Sequence, residues 1–248
     1  MRKPSIVWTI FRREFRNYFN SPVAYVFLVA FLLLVNTLTF LFGQYYEGRQ
    51  ADLMVFFLWH PWVYLLLVPA ATMGLWAEER RTGTIELLLT LPVTLGQAIV
   101  GKFLAAWAFI GIALALTVTI IPTTLFALGG DLDLGVAFAG YLGSFLLAGA
   151  CVAVGTLTSA MTRSQVVGFV LALVVCLVFN LAGFDPLIRL FSGWWPALAD
   201  VVAQCSFLRH FESMRRGVLD LADLAYYAGV MIVALTATHV VLNSRKAA

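Results

Sequence analysis

Four consecutive charged residues, Glu78-Glu79-Arg80-Arg81, stand just before a short apolar run, Ile85–Leu91. The run is far too short for a membrane span, which needs about 20 helical residues. Gly83 before it can turn the chain, and Pro92 after it ends a helix. We therefore expect a short helix on the membrane surface, with Glu86 in its first turn, where a carboxylate complements the positive end of the helix dipole.

Two interpretations of this charged region remain open. It is either a docking element that presents its charges to a soluble partner, or a solvated turn whose leucines dip into lipid. Further along, Thr94 and Gln97 have the spacing of a capping box, which predicts that the helix of the next membrane span starts there.

Residues Gly96–Lys102 match the pattern G-x-x-x-x-G-K of a phosphate-binding loop. Phe103 follows where that loop needs Ser or Thr to hold magnesium, and no buried strand precedes the match. We therefore expect this chain to bind neither ATP nor magnesium itself. Lys102 is expected instead to extend from the start of a membrane span towards the lipid headgroups.

Apolar residues make up 62% of the 248 residues and charged residues only 12%, with a mean hydropathy of +0.92. A soluble domain has about half apolar and about a quarter charged residues. The lipid bilayer is therefore the expected solvent, and nucleic acid is not an expected partner. Cys151, Cys176 and Cys205 have no spacing typical of a disulfide framework or a metal site.

Six apolar stretches are long enough to cross a membrane as helices. The sequence therefore predicts an all-α integral membrane protein with one transmembrane domain over residues 1–248. The regions outside the spans include an N-terminal segment, 1–21, a charged segment, 76–97, and an external segment, 185–223. The predicted spans are Val23–Phe42, Leu53–Leu75, Phe103–Thr124, Val136–Ala160, Val166–Phe184 and Leu224–Leu242.

The placement of Lys and Arg predicts the orientation, because these residues favour the cytoplasmic side of a membrane. The termini and the second and fourth connections carry eleven of the 16 basic residues: Arg2, Lys3, Arg12, Arg13, Arg16, Arg80, Arg81, Lys102, Arg163, Arg245 and Lys246. The opposite side carries Arg49, Arg189, Arg209, Arg215 and Arg216. Both termini and residues 76–97 are therefore predicted to be cytoplasmic.

A basic amphipathic helix is predicted over Ile6–Phe19, with aromatic and basic residues on opposite faces. Such a helix lies in the plane of the headgroups. Membrane anchoring alone explains the pattern, and contact with a partner is the alternative. The residues that define this interface helix are Trp8, Phe11, Arg12, Arg13, Phe15 and Arg16.

The predicted spans contain no Asp, Glu or Arg. Intramembrane charges mark proton or ion coupling, so their absence argues against a secondary transporter and against an intramembrane enzyme. His60 next to Pro61 is expected to make a structural hydrogen bond at a kink, with a place at an outer gate as the alternative. Small residues at intervals of four in the fourth span suit close helix packing within the subunit: Gly140, Ser144 and Ala148, with Gly149 and Ala153.

The external segment 185–223 is long for a connection, and we expect a half-buried outer cap formed by a re-entrant or interfacial helix. The spacing of its apolar residues predicts a short amphipathic helix with Val201, Val202, Cys205 and Leu208 on one face. Its polar residues are candidates for contact with a partner. With His60, the residues assigned to an outer gate or cap are His210, Glu212 and Arg216.

Two motifs resemble those of a known family. The run Glu78–Thr94, EERRTGTIELLLTLPVT, is similar to the cytoplasmic segment of type-2 ATP-binding-cassette (ABC) exporter permeases. The run Phe207–Asp220, FLRHFESMRRGVLD, resembles the small six-span subunits of the gliding-motility and nitrous-oxide-reductase-maturation branch. The resemblance covers essentially the whole chain.

This resemblance implies a permease of the bacterial inner membrane that dimerises with itself or with a related subunit. Two cytoplasmic ATPase subunits would bind ATP and magnesium, and an auxiliary periplasmic or membrane subunit is a further expected partner. In that family the short helix between the second and third spans contacts the ATPase. The ATPase-coupling surface implied for this chain is Glu78, Glu79, Arg80, Arg81, Gly83, Thr84 and Glu86.

The expected function is therefore the membrane subunit of an ATP-driven exporter, or of a complex that performs mechanical work across the membrane, with no catalytic residue of its own. The alternative is a non-transporting membrane scaffold that uses the same segment to tether an ATPase. The two functions differ in one observable: an exporter needs a continuous lumen at the dimer seam, and a scaffold does not.

Overall fold

The computed structural model describes residues 5–43, 53–84, 93–122, 133–184 and 201–244. Within these ranges the chain is helical and forms no strand, as the sequence predicts. The helices are α1 (Ile6–Asn20), α2 (Pro22–Thr37), α3 (Met54–Leu58), α4 (His60–Thr72), α5 (Gly74–Thr82), α6 (Leu95–Leu116), α7 (Leu134–Met161), α8 (Gln165–Leu181), α9 (Phe207–Arg215) and α10 (Leu221–Ser244). A π-helical turn, Leu38–Phe42, extends α2.

Four helical stretches are long and apolar enough to cross a membrane: Pro22–Phe42, Leu95–Pro122, Leu134–Met161 and Leu221–Ser244. They correspond to the first, third, fourth and sixth predicted spans. The fifth predicted span is the shorter apolar helix α8, which has 17 residues. The third span begins at Leu95 and not at Phe103, because Thr94 forms the predicted capping box with Gln97 at that point.

The second predicted span, Leu53–Leu75, is not one continuous helix. It consists of α3, α4 and the first turn of α5, with breaks at Trp59 and Met73. Pro61 lies in the first turn of α4, where proline is tolerated because the first N–H groups of a helix have no partner within it. The helix then continues as α5 beyond the predicted end of the span, to Thr82.

Helix α7 forms the centre of the subunit and contacts α3 to α6 and α8 to α10. Its small residues allow this close approach, because an added side chain would collide with neighbouring helices. A Cβ atom at Gly149 would lie 2.8 Å from Met231 Sδ of α10 and 2.8 Å from Trp107 Cε2 of α6. The predicted packing role of these small residues within the subunit is therefore confirmed for α7.

Helix α1 begins at Ser5, whose side chain accepts a hydrogen bond from Trp8 N, and ends at Ser21. It crosses α6: Ile10 fits against Gly101, and Tyr18 stacks on Phe109 with ring centroids 4.7 Å apart. The predicted N-terminal amphipathic helix is therefore present, and one of its faces is packed against the protein.

Candidate functional site

The charged residues 78–81 form the last turns of α5. This helix ends at Gly83, whose φ of 74° is in the left-handed region that favours glycine at a helix C-terminus. Gly83 therefore turns the chain as predicted. Glu86 and the predicted short helix Ile85–Leu91 lie outside the described residues, so that helix stays a prediction.

The first turn of α5 is held by a side chain from another helix. Ser159 Oγ of α7 accepts hydrogen bonds from the backbone N–H groups of Trp76, at 3.0 Å, and Ala77, at 3.1 Å. The same hydroxyl donates to Met73 O at 2.7 Å. Because the first N–H groups of a helix lack intrahelical partners, Ser159 acts as a cap supplied by α7.

Lys102 of α6 connects three helices through ion pairs. Its Nζ lies 2.8 Å from Glu79 Oε1 of α5 and 3.4 Å from Glu14 Oε1 of α1. The ammonium also lies 5.3 Å from the centroid of the buried Trp76 ring, within the range of a cation–π interaction. We call Glu14, Glu79 and Lys102 the lysine cluster.

The prediction that Lys102 extends to the lipid headgroups is wrong. Its side chain is only 3% exposed, because two carboxylates draw it between α1 and α5. The residues Gly96–Lys102 are helical, so their match to a phosphate-binding loop does not form a loop in this structure.

Two further contacts attach the end of α5 to its neighbours. Arg80 Nη1 donates to Ala160 O of α7 at 2.6 Å. Glu78 accepts a hydrogen bond from Gln165 Nε2 of α8 and pairs with Arg81 at 2.6 Å. The hydrogen bond from Arg81 is the main reason that the pKa of the Glu78 carboxyl lies below its ordinary value.

The structure divides the predicted coupling surface into two groups. Glu79 and Arg80 point at α6 and α7 and hold the helix in place. Arg81, Gly83 and Thr84 are exposed, and Glu78 is part-exposed. The anchoring side chains therefore precede the exposed ones along the chain, so an exposed tip follows a well-connected base.

Helix α1 has three faces. Ile10, Glu14 and Tyr18 contact the protein. A second face carries an aromatic ladder, defined as Trp8, Phe11, Phe15 and Phe19, with successive ring centroids 5.0, 5.5 and 5.2 Å apart. The third face is basic and exposed and carries Arg12, Arg13 and Arg16.

The external segment is described from residue 201 onwards. The predicted single helix through Val201, Val202, Cys205 and Leu208 is wrong, because the chain leaves the helix at Cys205 and a new helix begins at Phe207. The helical turn 201–204 stops and Ser206 caps a new helix, α9, which changes the periodicity. The buried face of α9 is Phe207, Phe211 and Met214.

The polar side of α9 is tied to α10 by His210. His210 Nδ1 lies 2.6 Å from Asp223 Oδ1, and Nε2 lies 3.0 Å from Gln204 O. Both ring nitrogens of His210 therefore lie within hydrogen-bond distance of an oxygen atom. Ser213 Oγ also donates to Asp223, so one carboxylate holds two side chains of α9.

Glu212 forms ion pairs with Arg215 and Arg216, at 2.6 and 2.7 Å. Burial raises the pKa of the Glu212 carboxyl, but the two guanidinium groups outweigh it, and the pKa lies below its ordinary value. Arg215 also donates to Met54 O of α3 at 3.2 Å. These contacts tie α9 to α3, and the place of α9 in an outer cap stays a prediction.

His60 is fully buried among aromatic side chains, and its ring centroid lies 4.6 Å from that of Phe56. Its Nδ1 is 3.1 Å from Phe56 O, one turn earlier, beside the break at Trp59. This contact agrees with the structural hydrogen bond expected at a kink. A role for His60 in an outer gate stays a prediction.

Sequence reasoning did not find Glu14, Ser159 or Asp223, each of which joins two or more helices. Glu14 could have been recognised from the sequence, because it is the one acidic residue in a basic helix and a carboxylate near the membrane is expected to pair with a cation. Ser159 and Asp223 could not be recognised in this way. Ser159 bonds backbone N–H groups of a distant helix, and Asp223 bonds side chains of the preceding helix.

The long apolar helices and their close packing around α7 define a multi-pass helical membrane protein. Its sequence matches the family model described as ABC-2 family transporter protein over residues 8–242, and the chain belongs to this family. It is therefore the membrane permease component of an ABC transporter, and its family implies association with an ATP-binding subunit. No curated protein matches the sequence.

Proposed function

We propose that this chain is the permease subunit of an ATP-driven exporter and that residues 76–94 dock the cytoplasmic ATPase. ATP hydrolysis by the partner would drive transport or other transmembrane work, and this chain would supply no catalytic residue, ATP site or magnesium site. We further infer a six-span subunit of the gliding-motility and nitrous-oxide-reductase-maturation branch, in the bacterial inner membrane with both termini cytoplasmic.

The observation that supports docking is the anchoring of α5. Its exposed tip carries Arg81, Gly83 and Thr84, where a soluble partner has access. Its base is bonded to α1 and α6 through the lysine cluster. It is also bonded to α7 through Ser159 and Arg80, and to α8 through Gln165.

This arrangement suits the transmission of force. A displacement of the tip would be transmitted to four helices. The residues that bond α5 to these helices lie close in the sequence to the exposed side chains. A solvated turn with no partner needs no such anchoring. Helix α7 is bonded to α5 through Ser159 and through the backbone carbonyl of Ala160. It also contacts the outer helix α9 and so connects the two ends of the subunit.

The complex that we propose contains two ATPase subunits and a second permease subunit, either identical or related. An auxiliary periplasmic or membrane subunit would contact the outer cap formed by α9, where Arg209 is exposed. The orientation is supported by the excess of Lys and Arg in the termini and in the connections predicted to be cytoplasmic.

Docking is tested by recovering the protein from its own membranes in mild detergent, with wild type beside Arg81→Glu. Arg209→Glu is the matched control, because it reverses an exposed charge at the other end of the subunit. We expect an active ATPase to accompany wild type and Arg209→Glu and to be depleted from Arg81→Glu. Equal recovery with all three, or no ATPase with wild type, would refute docking through this segment.

Transmembrane coupling is tested with the exposed Cys205, since Cys151 and Cys176 are buried. A fluorophore on Cys205 reports on the outer cap while ATP is added at the ATPase side. An exporter or mechanical complex should change the fluorescence during hydrolysis. Hydrolysis without any change at Cys205 would instead indicate a scaffold that only tethers the ATPase.

A further inference from the structure

An apolar groove with a volume of about 340 Å³ opens where α1 lies against α6 and α7. Its walls include Trp8 and Phe11 of α1, Leu104 and Trp107 of α6, and Phe145 of α7. This volume is at the lower end of the range for small-molecule sites, about 300–1,000 Å³.

The groove is held in shape by contacts between its own walls. Trp107 Nε1 donates to Phe145 O at 2.8 Å, and the two rings stack with centroids 4.4 Å apart. Trp8 stacks on Phe11 with centroids 5.0 Å apart. Among the described residues that line the groove, Ser5 carries the one polar side chain other than the indoles, and its Oγ already accepts a hydrogen bond from Trp8 N. The groove therefore suits hydrocarbon better than a peptide, whose backbone needs hydrogen-bond partners.

Two exposed arginines follow Trp8, a residue of the groove wall, along α1. Arg12 stands one helical turn after Trp8, and Arg16 one turn after Arg12, so both flank the aromatic ladder. Neither forms an ion pair with any residue in the described part of the chain. Arg13 differs, because its guanidinium pairs with Glu14 at 2.6 Å.

We propose that the groove binds one acyl chain of an anionic phospholipid, whose phosphate is held by Arg12 and Arg16. Hydrocarbon fills the space between Trp8, Trp107 and Phe145, and guanidinium groups bind phosphate through paired hydrogen bonds. The charge of the rim selects an anionic lipid over a zwitterionic one, since a polybasic surface attracts a net negative headgroup.

Such a site differs from general anchoring of an amphipathic helix. Anchoring needs only the surface of α1, whereas the groove also needs Trp107 of α6 and Phe145 of α7. A bound lipid would therefore join α1 to α6 and α7, two of the helices that are bonded to α5. The proposal depends on the membrane location of the chain and not on ATPase docking.

The test uses the whole protein in phosphatidylcholine nanodiscs with a trace of photoactivatable lipid. Phosphatidylglycerol and phosphatidylcholine, each with a diazirine on the acyl chain, are compared, and labelled peptides are identified by mass spectrometry. We expect phosphatidylglycerol to label the peptides that contain Trp107 and Phe145 more strongly than phosphatidylcholine does. Each of Arg12→Gln and Arg16→Gln should reduce this labelling about fivefold.

Two variants separate the parts of the site. Ala108→Phe places a ring in the groove and should abolish labelling while the arginines remain. Arg13→Gln removes a charge from the same helix and should leave labelling unchanged. Thermal unfolding and size-exclusion profiles show that each variant is folded.

Equal labelling by the two lipids would refute selection of an anionic headgroup. Labelling that survives in Ala108→Phe would refute the groove as the site. Absence of labelling of both peptides by either lipid in the wild-type protein would show that no acyl chain occupies the groove and would overturn the proposal.

Discussion

Lys102 Nζ lies 2.8 Å from Glu79 Oε1, and the lysine side chain is only 3% exposed. A buried ammonium is stable only when its charge is paired and hydrogen-bonded. Glu79 lies in the coupling region and Glu14 in the interface helix, so this one lysine fixes both elements to α6.

Removal of the lysine should therefore be costly. Lys102→Met keeps the length of the side chain but removes the ammonium that pairs with Glu79, while Glu14 keeps its pair with Arg13. It should lower the free energy of unfolding by about 3–5 kcal/mol. Adding Glu14→Gln and Glu79→Gln to this variant should restore part of the loss. Thermal unfolding in detergent measures both effects. Additive losses in the triple variant would contradict the ion-pair interpretation.

Ser159→Ala should weaken the start of α5, because two backbone N–H groups lose their acceptor. We expect a loss of about 1–2 kcal/mol in stability. Hydrogen exchange at the amides of Trp76 and Ala77 should become faster. Thr158→Ala is the control, because within the described ranges Thr158 Oγ1 bonds to Gly155 O of its own helix and to no other helix. Exchange at Trp76 and Ala77 that rises equally in both variants would show that Ser159 is not a cap.

Two Gly→Ala substitutions should have opposite effects. A Cβ atom meets nothing within 4 Å at either Gly83 or Gly229, so the difference is conformational. Gly83→Ala forces a left-handed φ on alanine and should cost about 1–2 kcal/mol. Gly229→Ala lies inside helix α10 and should gain about 0.5–1 kcal/mol. The sign of each change in melting temperature is the test, and a stabilising Gly83→Ala would contradict the positive φ.

The Glu212 pairs predict a dependence of stability on pH. The folded pKa of Glu212 lies below its ordinary value of 4.5, so its contribution is present above that pH. The contribution is lost as the pH falls through the lower folded pKa. Wild type should therefore exceed Glu212→Gln in stability at about pH 6 and lose that advantage by about pH 3. The difference should stay below about 1 kcal/mol, because the carboxylate is 37% exposed. An advantage that grows in acid would contradict the depressed pKa.

Local features were predictable from the sequence. The capping box of Thr94 and Gln97, the turn at Gly83 and the helix over Ile6–Phe19 each depend on residues a few positions apart. The long apolar helices follow from hydropathy in the same way. The small residues of α7 were informative because close packing in a membrane requires them.

Contacts between distant residues were not predictable. Lys102 was placed in the headgroups because its sequence neighbours are apolar, and its partner Glu14 lies 88 positions away. Hydropathy predicts the second span as one continuous helix. The break at Met73 was not predictable because it depends on Ser159 of a distant helix, which accepts hydrogen bonds from backbone N–H groups at the start of α5. The single amphipathic helix predicted over Val201–Leu208 was wrong, because Ser206 caps a new helix and the helical periodicity starts again there.

The break at Met73 has a mechanical consequence. The first turn of α5 is held by a hydroxyl of α7, and not only by the backbone of α4. Ser159 thus sets the position at which α5 starts, separately from the packing of α4 among the buried aromatic residues. A force applied near Gly83 would therefore have two routes into the subunit, one along the backbone into α4 and one through side chains directly into α7.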